Sequence, residues 1–262
     1  MNLSLSNKNA FVCGSTQGIG KAVALELAAL GANITLMARN RERLATVAKE
    51  LDKSKGQQHD FVVADFAQAH VLKSIVQAYL SDGKTIHILV NNTGGPPAGP
   101  IVEATEEAFL KAYQMHLLAS HLLAQAVIPG MKEAGYGRML QIISTSVKEP
   151  IPGLGVSNTT RGAVASWAKT MAGELGPYGI TVNNVLPGFT ETERLSSIVQ
   201  NRARKSGKSE EAVIEAFKAG VPARRFASPA EVANVVAFLA SPAAAYVNGV
   251  SLAVDGGRTN CI

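Results

Sequence analysis

The sequence predicts a single α/β domain built on a doubly wound parallel sheet of about seven strands. Three observations carry this. Apolar runs of four to seven residues alternate with longer helical patterns from residue 10 to residue 254. The runs are apolar throughout rather than at every second position, as in strands covered on both faces. Strand–helix alternation of this kind builds right-handed βαβ crossovers. A length of 262 residues suits one such domain, 1–262, without a second.

The first strand spans 10–13, and a glycine-rich turn leads into a helix at 21–30 that is rich in Ala and Leu. A second strand at 34–37 precedes a charged helix at 41–52. A third strand at 61–64, a helix at 69–80 and a fourth strand at 86–90 follow. Thr105 opens a long helix running to about residue 134. Its hydroxyl suits an N-cap, and Glu106 and Glu107 oppose the helix dipole. A fifth strand at 139–143, a helix at 162–175 and a sixth strand at 180–186 come next, then a helix at 229–240 and a last strand at 250–254. Between 190 and 220 the alternation breaks. This stretch is polar and basic with one helical segment, 210–218, and reads as an insertion or lid over one end of the sheet. No internal repeat and no linker is visible.

Composition excludes several classes. Charged residues are 17% of the chain and hydrophobic ones 47%, which disfavours disorder. Two cysteines, Cys13 and Cys261, make no disulfide framework. No Cys/His cluster has zinc-site spacing, so no metal is expected. No apolar run is long enough to span a bilayer, and too few residues precede the first strand for a signal peptide. A soluble cytoplasmic protein is expected. The net charge of +5 formally allows a nucleic-acid partner, but no nucleic-acid motif accompanies it, and none is expected.

Gly14-Ser15-Thr16-Gln17-Gly18-Ile19-Gly20 follows the first strand and opens the first helix. Glycines there permit a tight turn and close approach of the backbone to a phosphate, and the helix N-terminus favours negative charge. The Gly-x-x-x-Gly-x-Gly spacing resembles that of the short-chain dehydrogenase/reductase family. Asn91-Asn92-Thr93-Gly94 after the fourth strand is similar to that family's Asn-Asn-Ala-Gly motif. Asp65 resembles its adenine-contacting acid. Pro187-Gly188 with Thr190 and Thr192 resembles the segment holding the nicotinamide carboxamide, and Asp255-Gly256-Gly257 the C-terminal motif. The likeness covers nearly the whole chain and is nearest to 3-oxoacyl-(acyl carrier protein) reductases. It implies a Rossmann-like fold, a nicotinamide cofactor, and hydride transfer between that cofactor and a carbonyl or alcohol carbon.

The end of the second strand bears on which cofactor. An acid there suits the ribose 2′-hydroxyl of NAD, whereas an arginine accommodates a 2′-phosphate. The sequence reads Met37-Ala38-Arg39-Asn40-Arg41, with Ala38 at the acid position and Arg39 after it. NADP(H) is favoured over NAD(H).

The resembled family uses a Tyr as proton donor, a Lys four residues later, a Ser and an Asn. Ser144 matches the Ser. The Tyr offset falls on Ser157 and the Lys position on Arg161, and the Asn position is His116. Arg161 stays charged and suits the ribose hydroxyls. It is no proton shuttle near neutral pH. His116 is the best substitute acid, because an unperturbed His titrates near ~6.5. Two readings stay open: a divergent reductase with rewired proton transfer, and a catalytically silent NADP(H)-binding protein with a regulatory or binding role.

Open α/β sheets bind ligands beyond the carboxyl ends of their strands. That places 94–101, 145–155 and 190–218 around a small-molecule or carrier-bound carbonyl substrate. Arg194, Arg202, Arg204, Lys205 and Lys208 give the lid its basic face. Helices at 111–126 and 162–175 resemble the family's dimer faces, implying a homodimer or homotetramer.

Overall fold

A computed structural model describes residues 1–261 of the chain. The strands are β1 (Asn9–Cys13), β2 (Asn33–Ala38), β3 (Asp60–Val63), β4 (Ile88–Asn91), β5 (Gly137–Ile142), β6 (Ile180–Pro187) and β7 (Ser251–Val254). The helices are α1 (Gly18–Ala29), α2 (Arg41–Glu50), α3 (Ala69–Leu80), α4 (Glu106–Tyr113), α5 (Ala119–Glu133), α6 (Gly155–Leu175), α7 (Glu193–Ser206), α8 (Glu210–Ala219) and α9 (Pro229–Ala240). All seven strands pair in parallel in the order β3-β2-β1-β4-β5-β6-β7. The order reverses between β1 and β4, where such sheets open a crevice.

Period two in β1 shows why the strands are apolar throughout. Ala10 and Val12 join a core with α1 and α9, among Val23, Leu27, Val236 and Leu239. Phe11 and Cys13 face the opposite core, among Leu72, Leu123, Met131 and Ala168. Each fully buried leucine contributes roughly 1.5–3 kcal/mol, so two aliphatic layers hold the sheet with few aromatics. Burial also pushes the Cys13 thiol up to about 12, leaving it inert.

Helix starts follow local chemistry. Asn40, Thr105, Thr192 and Ser209 each accept a backbone N–H three residues on. Ser228 and Glu231 form a reciprocal capping box with Pro229 in the first turn. α1 differs: it has no side-chain cap and no acid in its first turn, so its amide groups stay free at the crevice.

Three expectations need correction. The helix starting at 105 is interrupted by a π-turn, Gln114–Leu118, between α4 and α5. α6 begins at Gly155 rather than 162, so Ser157 and Arg161 sit inside it. The segment 190–220 holds two helices, not one. α7 buries Leu195, Val199 and Ala203, which pack with Val213 of α8 and Phe226 into a small separate core. Phe189 stacks on Phe217 beneath it, at 4.7 Å between centroids. Among the described residues no helix is long and apolar enough to cross a membrane.

Candidate active site

A cavity of about 690 Å³ opens over the carboxyl ends of the strands on both sides of the β1–β4 reversal. The β1–α1 loop supplies Gly14, Thr16, Gln17, Gly18 and Ile19. Gly14 and Gly18 have φ of 58° and 54°, a left-handed conformation that disfavours side chains. A Cβ on Gly14 would meet the carbonyl oxygen of Asn92, and one on Gly20 the carbonyl oxygen of Gly14. The loop is therefore pressed between α1 and the end of β4. The Gly14 N–H donates to the Met37 carbonyl, and the amides beyond it with the uncapped α1 N-terminus form a cradle suited to a phosphate.

Two residues expected at the cofactor lie behind this cradle instead. Ser15 is fully buried, and its hydroxyl accepts the Met37 N–H at 3.1 Å, tying the loop to β2. Gly20 permits the close approach just described. Asn91 is also set back: it is buried and donates to Gln141 Oε1 at 3.0 Å. Its neighbour Asn92 lines the cavity and donates to the carbonyls of Cys13 and Gly14 at 3.3 and 3.2 Å.

Arg39, Asn40 and Arg43 line the wall beyond β2, and Asp65 and Phe66 the wall beyond β3. Arg43 Nη1 donates to Gln17 Oε1 at 2.8 Å, so helix α2 is fastened to the glycine loop. Arg41 turns away and stacks over Phe61. Two cations and no acid thus face the cavity at the strand end that separates NAD from NADP binders. Arg43 was missed by sequence reasoning. Its signal was present: it follows Arg41 by two places, which on a helix turns it to a different face.

At the other end lie Thr93, Gly94, Ser144, Ser157, Arg161, Pro187, Gly188, Thr190 and Thr192. The Ser144 oxygen accepts the Ser146 N–H at 3.1 Å, which leaves its own hydrogen free to donate. Ser157 and Arg161 are four residues apart on α6 and share one face. Arg161 is 7% exposed. Its Nη1 donates to the Ile142 carbonyl at 3.2 Å and its Nη2 to the Thr93 carbonyl at 3.3 Å. Burial, then the neighbouring Arg194, draws its pKa down to about 10, so it stays protonated at neutral pH. Thr192 lines the cavity while capping α7. No tyrosine and no lysine of the described residues reaches the cavity.

His116 is the expectation that changes most. It sits in the π-turn, 2% exposed, outside the cavity wall, with Nδ1 2.5 Å from Thr93 Oγ1. Burial, then the Arg161 charge, pushes its pKa down to about 3. It does not titrate near 6.5 in this setting; its ring is neutral and bonded to a residue that does line the cavity. Among the described residues no group of three or more His, Cys, Asp or Glu is placed to hold a metal ion.

The family model described as enoyl-(acyl carrier protein) reductase matches residues 14–259. This chain is a short-chain dehydrogenase/reductase. A diacetyl reductase of Staphylococcus epidermidis is 32% identical over 96% of this chain and 98% of its own. An NADPH-dependent reductase of Bacillus subtilis is 29% identical over 98% of this chain and all of its own. Among solved structures, L-sorbose reductase from Gluconobacter frateurii, complexed with NADPH and L-sorbose, superposes with a TM-score of 0.93 at 31% identity over the full length of both chains. Within this short-chain dehydrogenase/reductase, the cradle and the basic wall follow the resembled pattern. The β5–α6 side carries Ser157 and Arg161 where the resemblance implies Tyr and Lys.

Proposed function

We propose that the protein is a cytoplasmic NADP(H)-dependent carbonyl reductase of the 3-oxoacyl reductase type, with proton handling rewired around Ser144, Ser157 and Arg161. One observation carries this: a single cavity joins the phosphate cradle and the basic wall to a cluster of two hydroxyls and a guanidinium. The named relatives, among them reductases acting with NADPH, support turnover over silent binding.

The residues fit NADP(H). The free amides of the loop beyond Gly14 would hold the pyrophosphate, and Arg39 and Arg43 would hold the 2′-phosphate. Asp65 would meet the adenine, Thr93 and Gly94 the ribose, and Pro187, Gly188, Thr190 and Thr192 the carboxamide. When bound, the cofactor supplies a hydride to the carbonyl carbon. Ser144 donates its free hydroxyl hydrogen to the carbonyl oxygen. Ser157, one turn before Arg161, offers a second hydroxyl. Arg161 stabilises the oxyanion that develops as the carbon is reduced, from a buried position where its charge acts strongly. An alkyl hydroxyl is a far weaker acid than a phenol, so the final proton comes from solvent through Ser157. His116 holds Thr93 in place rather than giving up a proton.

Exposed Leu110, Tyr113 and Leu118 on α4 and the π-turn support a homodimer or homotetramer through that face. The function is tested by NADPH oxidation against diacetyl, L-sorbose and a 3-oxoacyl thioester. Turnover with NADPH exceeding that with NADH is expected. Micromolar NADPH binding with no turnover on any carbonyl would overturn the reading.

A further inference from the structure

The cavity holds more positive charge at its reacting end than hydride transfer requires. Arg161 and Arg194 approach the same glycine. A Cβ built on Gly95 would lie 3.5 Å from Arg194 Nη2 and 3.9 Å from Arg161 Nη2. Both guanidinium groups line the cavity. Their bonds go only to carbonyl oxygens: Arg161 to Ile142 and Thr93, Arg194 Nη2 to Pro96 at 2.8 Å. Among the described residues neither has an acidic partner. The ion pairs among the described residues are Lys21–Glu50, Lys218–Glu215 and Arg225–Glu231, all elsewhere. Glu193 lines the same wall and pairs with neither arginine.

Two like charges beside each other, one of them almost wholly buried, are costly without a counter-charge. Burial lowers the proton affinity of both, and the Arg194 charge lowers that of Arg161 further. A ribose hydroxyl accepts an N–H bond from Arg161 but brings no charge. The 2′-phosphate and pyrophosphate are assigned to the far end of the cavity, at Arg39, Arg43 and the glycine loop. The compensating anion therefore comes with the substrate.

We infer that the substrate is a short oxo acid whose carboxylate lies between Arg161 and Arg194 while its ketone oxygen faces Ser144. This rests on the reductase reading above and deepens it. The guanidinium fork matches a carboxylate in a bidentate manner. The chain between the two groups is short, because Arg161 bonds to Ile142 and Ser144 stands only two residues beyond it. Arg194 belongs to α7, so carboxylate binding also fixes the lid against the 94–96 loop.

The test uses calorimetric titration into protein loaded with NADP+, which binds the site without reducing the probe. Acetoacetate and 2-oxobutyrate are each compared with their methyl esters and with inorganic phosphate. At least one acid is expected to bind roughly 10- to 100-fold tighter than its ester, the span of one or two charge-assisted bonds. Arg194→Gln, a change at the proposed carboxylate site, should remove that preference. Equal binding of acid and ester, no acid binding, a preference that survives Arg194→Gln, or tighter binding of phosphate than of either acid would overturn the inference. Esters reduced by NADPH without any acid preference would sink the inference alone. Arg194-dependent acid binding without NADPH oxidation of any carbonyl would sink the reductase reading and leave the anion site standing.

Discussion

The two ends of the cavity are built from different materials. At the nucleotide end, backbone does the work: left-handed glycines, free amides of α1, and a loop pressed against Asn92. At the reacting end, side chains do it: Ser144, Ser157 and Arg161, projecting from a strand end and a helix face. Backbone geometry leaves few residue choices, since most side chains clash or strain there. A helix face accepts any helix former that fits. The nucleotide end is accordingly close to the resembled pattern, and the other end carries Ser157 and Arg161 where the resemblance implies Tyr and Lys.

The sharpest way to break this contrast is to restore the side chains. Ser157→Tyr with Arg161→Lys should raise kcat for an uncharged ketone by roughly 10²- to 10⁴-fold, the usual worth of general acid–base catalysis. Steady-state NADPH oxidation reads it. No gain would mean that the reacting end differs in backbone as well.

The converse probe is a single methyl group at the nucleotide end. Gly14→Ala sets a side chain at φ 58° and against the Asn92 carbonyl. Left-handed strain alone costs ~1–2 kcal/mol, so NADPH binding should weaken about 10- to 100-fold by fluorescence titration. Unchanged binding would show that the cradle tolerates what its geometry forbids.

A smaller effect separates the basic wall from the cradle. Arg39→Ala with Arg43→Ala should weaken NADPH binding about tenfold or more, as expected for lost charge-assisted bonds, and leave NADH binding nearly the same. Equal loss for both cofactors would place these arginines away from the 2′-phosphate.

The smallest effect is on stability. His116 has a folded pKa of about 3, below its unfolded value. The unfolded chain therefore binds a proton that the folded chain refuses, and stability present above pH 6.5 falls as the pH drops toward 3. Between pH 6.5 and 5 the loss amounts to about 1–2 kcal/mol. Urea midpoints at several pH values should show this slope, and His116→Gln should flatten it. Identical slopes in both proteins would remove the buried neutral imidazole from the account.

The sheet was legible because strands covered on both faces leave unbroken apolar runs, and the phosphate cradle because glycine is hard to replace at positive φ. Helix α7 was hidden. Its apolar Leu195, Val199 and Ala203 are diluted by Arg194, Arg202, Arg204 and Lys205. The early start of α6 was hidden by Ser157, Asn158, Thr159 and Thr160, weak helix formers. Thr159 and Thr160 send their hydroxyls back to the carbonyls of Gly155 and Val156. The behaviour of His116 was not readable at all, because its pKa follows from the residues packed around it. The approach of Arg161 and Arg194 to one another beside Gly95 was not readable either, because nothing in the local pattern marks it.

The bridge between the 99 and 154 loops has a mechanical consequence. Gly99 N–H donates to the Gly153 carbonyl and Gly155 N–H to the Gly99 carbonyl, while Gly155 packs against the backbone of Ile101. These two loops form a fixed jamb. The opposite side is a leaf with its own small core, whose two ends are bridged to each other at Thr190 and Ala227. Leu154 of the jamb and Leu195 and Ile198 of the leaf line the same cavity, so one side of its mouth is pinned backbone to backbone and the other rests on a small apolar core.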